Sequence, residues 1–205
     1  MHKLREYICT QLQPFDRAAL WSSHIAKKGA LVIFSWATPS FLIVWLVARY
    51  RKHVPSAYLE AAISEGIGPH LWNVVGTLGL VLVGFALLFP RSRFIARSAY
   101  QVLINTYAIG GLSFGLLFGQ LATALASAAA NVASWKAWFM GAGGFFLAVQ
   151  ALTFNFSLWY LGHFMASREA SDGFLHRVEG VALRLRLAAF LFLAVLPITL
   201  LFMEK

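Results

Sequence analysis

Polar and apolar positions in this chain segregate over lengths far greater than one helical turn. Runs of about twenty residues with almost no charge alternate with short stretches that collect Arg, Lys, Pro and the few acids. Five runs stand out, at 29–47, 71–89, 100–130, 137–164 and 183–201. A helix of that length crosses a hydrocarbon core ~30 Å thick, and a helix closes its backbone hydrogen bonds where no water can. The pattern predicts an all-α, polytopic helical membrane bundle with about five transmembrane helices. Residues 1–28 read differently. Leu4, Ile8, Leu12 and Phe15 recur near helical spacing among charged neighbours, and Pro14 breaks the pattern. This is the signature of an amphipathic helix lying in the membrane interface; a docking arm for a partner is the alternative. The expected organisation is an interfacial segment, 1–28, followed by one transmembrane helical-bundle domain, 29–205.

Two runs carry more information than the others. In 29–47, Pro39 removes a backbone donor mid-span, which predicts a kink; a re-entrant hairpin bent at Thr38-Pro39-Ser40 is the alternative. The run 100–130 is uncharged and places Gly111, Gly115, Gly119, Thr123 and Ser127 at every fourth position, on one helix face. Lipid weakens the apolar drive for helices to associate, and close approach along small residues replaces it. The stripe is therefore expected to be a packing seam, against a helix of the same chain or against its own copy, with self-association favoured. At roughly 46 Å the run is longer than a straight crossing needs. Neutral polar residues gather on the third and fourth runs: Asn105, Gln120, Gln150, Thr153, Asn155 and Ser157. They are expected either to hydrogen-bond between helices or to line a polar path.

Charge sets the orientation. With five spans, twelve of the 17 Lys and Arg fall on one side, including Lys27, Lys28, Arg91, Arg93 and Arg97, and five fall on the other. Positive loops stay in the cytoplasm, so the N-terminus is expected there, in a multi-pass protein of a bacterial inner membrane. The same five residues are the expected contacts to a cytoplasmic partner or to lipid. A formal net charge of +9 would fit a nucleic-acid binder, but the positive residues flank apolar runs, so no direct nucleic-acid contact is expected. Charged residues make up 12% of the chain against about 25% in soluble domains, which reinforces the membrane class.

The chemistry is sparse. Cys9 is the single cysteine and excludes an intrachain disulfide. Neither a zinc-protease, nucleophile-elbow nor P-loop pattern occurs. Five of the six histidines lie outside the apolar runs, with His163 at the end of one, which disfavours facing haem ligands. No catalytic residues, metal or cofactor are expected. Ionisable side chains are missing from the span interiors, where proton-coupled transporters keep them. The function expected is a non-enzymatic membrane subunit that self-associates and anchors or signals to a partner in a multi-component system such as anti-phage defence, secretion or immunity. An oligomeric ion channel is the alternative, and a small-molecule transporter a further one.

Overall fold

The computed structural model describes residues 6–8, 10, 23–50, 67–131, 134–166 and 173–203, and no strand occurs among them. The helices are α1 (Ser23–Arg49), α2 (Ile67–Leu88), α3 (Arg93–Asn131), α4 (Ser134–Ala166), α5 (Phe174–Glu179) and α6 (Leu183–Met203). Four segments among the described residues are long and apolar enough to cross a membrane: Ser23–Arg49, Leu71–Leu88, Arg93–Thr123 and Ser134–Ala166. The fifth apolar run forms α6, a 21-residue helix with Pro197 inside it. Most of the expected interfacial segment, including its break at Pro14, lies outside the described residues.

Helix ends depart from the hydropathy boundaries. α1 begins at Ser23, so Lys27 and Lys28 are helical and exposed rather than preceding the span. It also runs unbroken through Pro39, which rules out the hairpin reading. α3 begins at Arg93, which places Arg93 and Arg97 on its first turns and not in a loop. The cause is local. Pro90 cannot continue α2, the Ser92 N–H bonds the Phe89 carbonyl at 2.9 Å, and the Ser92 hydroxyl accepts the Ile95 N–H at 3.4 Å as an N-cap. Hydropathy marks where a helix leaves lipid; capping marks where its hydrogen bonds stop.

The chain divides into two compact units whose boundaries fall within helices. The first comprises Met1–Lys28, Asn73–Thr106 and Leu158–Lys205. Its core is built from Val83 and Ala86 of α2, Ala99 and Leu103 of α3, Met165 of α4, and Leu175 of α5, all essentially buried. Phe85 and Phe190 pair α2 with α6 at 4.9 Å between ring centroids. Phe164 stacks on Phe174 at 5.2 Å and ties α5 to the end of α4. The Trp159 indole N–H bonds the Ile25 carbonyl at 2.9 Å. Because a buried indole must find an acceptor, this contact fixes the start of α1 against α4.

The second unit comprises Gly29–Trp72 and Tyr107–Ser157. Its centre is the crossing of α1 and α3, with Ile33, Ser40 and Val44 of α1 buried against the small side chains of α3.

Candidate functional site

Three features of the helices carry polar chemistry. The first is the small-residue stripe. Gly111 faces Ile33 and Trp36, Gly115 faces Ala37 and Ser40, and Gly119 faces Phe41 and Val44. These six residues sit on one side of α1, so this part of the stripe is a seam inside the chain. Its expected use as a contact between copies is corrected for these three glycines, since α1 already covers them. The reason lies in α1 itself. Pro39 disturbs its hydrogen-bond ladder, and the Ser40 hydroxyl, 5% exposed, donates back to Trp36 O and Ala37 O at 3.0 Å each. The Ala37 carbonyl of α1 lies against Gly115, a contact that only a glycine admits. Thr123 donates back to Gly119 O and Gln120 O, both at 3.0 Å. The side chain of Ser127 lies outside the described residues.

The second feature is a polar knot. Asn155 is 2% exposed. Its amide donates to the Tyr107 carbonyl at 3.1 Å and accepts the Trp72 indole N–H at 3.3 Å. The Tyr107 hydroxyl donates to the Gly29 carbonyl at 2.7 Å. Four helices of the second unit, α1, α2, α3 and α4, are thus joined through three side chains, Asn155, Trp72 and Tyr107. Gly110 makes room for the Asn155 amide, just as Gly111 makes room for α1. Successive residues on a helix point about 100° apart, so the Gly110–Gly111 pair lets α3 approach two neighbours at once. Asn155 belongs to the expected polar set and here joins helices instead of lining a path. Trp72, Tyr107 and Gly110 were not legible as site residues; the adjacent glycines were the available signal.

The rest of the polar set points away from this knot. Asn105, Gln120, Gln150, Thr153 and Ser157 are all exposed on the chain. Thr153 and Ser157 satisfy their hydroxyls on Val149 O and Thr153 O, at 2.8 and 3.0 Å. On α4, Gly143, Gln150 and Ser157 share a face with Phe139 and Phe146, opposite the face that buries Asn155. A side chain added at Gly143 would meet nothing within 4 Å.

The third feature is an open cleft in the first unit, of about 650 Å³, at the end of α2. It is lined by Leu88, Pro90, Arg91, Ser92, Glu179 and Arg186. Arg91 and Glu179 face each other at 3.7 Å, with Arg91 87% exposed. Arg186 was not singled out by its sequence context, because basic residues near a span end ordinarily mark topology. Lys27, Lys28, Arg93 and Arg97 are exposed on their helices and do not line the cleft. Among the described residues, no group of three or more His, Cys, Asp or Glu is placed to hold a metal ion.

Large apolar side chains remain exposed along these helices, among them Phe34 at 69%, Phe139 at 78% and Phe146 at 69%. Water would not tolerate such a surface on a soluble monomer; lipid requires it. The architecture is that of an all-helical membrane protein. Comparison with known proteins returns no matching family model, no matching curated protein and no matching solved structure.

Proposed function

We propose that this chain is a non-enzymatic subunit of a multi-component assembly in a bacterial inner membrane, which pairs with a second copy along the outward face of α4. The observation that carries this is burial. The most apolar window of α4 is 0% buried within the chain, against 17% for α1, 28% for α2 and 44% for α3. That face nevertheless bears the Gln150 amide and the gap at Gly143. An amide in hydrocarbon seeks a partner. It is donor and acceptor at once, so it is satisfied by its own copy across a two-fold axis. Gly143, one heptad before Gln150, lets the two backbones approach. In this reading five spans place the N-terminus in the cytoplasm, following the twelve-to-five distribution of Lys and Arg, and the basic end meets a cytoplasmic partner or lipid.

Native mass spectrometry of the purified chain in detergent is expected to give a dimer. Gln150→Leu is expected to shift it toward monomer by roughly tenfold in dissociation constant, about the 1–2 kcal/mol of an interhelical amide pair. A wild-type protein that stays monomeric at every detergent ratio sinks the proposal. The channel reading keeps one specific support, the exposed amides of Gln120 and Gln150. It requires ion flux in liposomes that falls in Gln150→Leu.

A further inference from the structure

The cleft at the end of α2 has the electrostatics of an anion site. α3 and α6 both start beside it, and neither has an acidic residue in its first turn. A helix N-terminus carries a partial positive charge and favours Asp or Glu there. These two carry Arg93 and, on the opening turn of α6, Arg184 and Arg186 instead. Arg186 supplies the independent observation. Among the described residues its Nε is buried without a hydrogen-bond partner, while the side chain as a whole is partly exposed and its Nη1 donates to the Leu88 carbonyl at a long 3.5 Å. A guanidinium presents five donors in a planar fork, and leaving the buried Nε–H unmet is costly. Glu179 lies in the same cleft and faces Arg91, not Arg186, at a distance that makes a weak, solvent-screened pair. Among the described lining residues two arginines stand against one carboxylate, which makes that lining net positive.

We propose that this cleft binds a phosphate-type oxyanion, with Arg186 and Arg91 as its charged contacts and the capped start of α3 as its floor. Guanidinium forks match phosphate geometry in two parallel bonds, and helix starts add backbone donors. Its place at the end of an apolar span is the level of lipid headgroups, so the source favoured by position is an anionic phospholipid. Soluble phosphate shares the chemistry. The proposal does not depend on pairing through α4.

The test uses the full chain in detergent. Native mass spectra are taken with added phosphatidylglycerol or phosphatidylcholine, and thermal stability is followed with added inorganic phosphate. Wild type is expected to retain phosphatidylglycerol in preference to phosphatidylcholine. Arg186→Gln is expected to cut phosphatidylglycerol retention by roughly tenfold, the change expected when a charge-assisted bond is lost, and to leave phosphatidylcholine unchanged. Glu179→Gln removes the competing carboxylate and is expected to raise retention severalfold, which keeps the test decisive even if the arginine variant fails to fold. Stabilisation by inorganic phosphate without lipid preference, abolished by Arg186→Gln, supports the site and assigns it to soluble phosphate. Retention that ignores both substitutions, with no response to phosphate, overturns it.

Discussion

Gly115→Leu is expected to break the second unit, whereas Gly143→Leu leaves the fold intact. A Cβ at Gly115 runs into the Ser40 hydroxyl and the Ala37 carbonyl. The carbonyl is the decisive partner, because backbone cannot rotate aside as a side-chain tip does. Ser40 is held as well, by its bonds to Trp36 O and Ala37 O. The remaining response is for α1 to move off α3, which also opens the contacts at Gly111 and Gly119. Overpacking of this kind costs about 3 kcal/mol or more, and thermal unfolding in detergent should fall by roughly 10 °C or give way to aggregation. At Gly143 a side chain enters open space. The pair thus separates a seam within the chain from a face available to another molecule. Equal thermal profiles for the two variants would refute the seam; loss of dimer in Gly143→Leu without loss of fold would locate the proposed contact.

Gly110→Ala is expected to be destabilising in wild type and close to neutral once Asn155 is Ala. Glycine to alanine inside a helix ordinarily stabilises, because alanine is the better helix former by about 1 kcal/mol. The sign reverses at Gly110 because the new methyl occupies the space of the Asn155 side chain amide. That amide is held at both ends, on Tyr107 O and by Trp72 Nε1. Moving it forfeits two buried hydrogen bonds, and the net cost in wild type should be about 2 kcal/mol. In an Asn155→Ala background the space is empty and the bonds are already gone. The coupling in a double-mutant cycle should therefore reach about 2 kcal/mol. Additive effects would show that Gly110 and Asn155 act independently and that the knot is not a unit.

Arg186 and the α4 face illustrate how residue type and residue role come apart. Arginine at the end of an apolar run is a topology marker in most settings, and only a folded cleft shows whether its donors are met. Gln150 and Asn155 lie five residues apart on one helix and are both carboxamides. One is buried and bonded to two neighbouring helices, while the other is exposed. Both satisfy the same sequence pattern of a polar residue in a span; a rotation of about 140° about the helix axis gives them opposite surroundings.

Sequence alone determined the helical membrane class, because lipid admits few backbone arrangements and leaves a long, local hydropathy signal in each span. It located the apolar runs and the small-residue stripe, since both are periodic properties of one segment. Helix ends were less legible: the start of α3 at Arg93 lies outside the apolar run, where the Ser92 cap, not hydropathy, decides. The partners of each face were set by tertiary structure alone. That Gly115 meets Ala37, that Gly110 meets Asn155, and that Glu179 and Arg186 share a cleft with Arg91 are contacts between distant segments. Packing geometry selects such contacts, and no residue records in its own neighbourhood which helix will lie beside it.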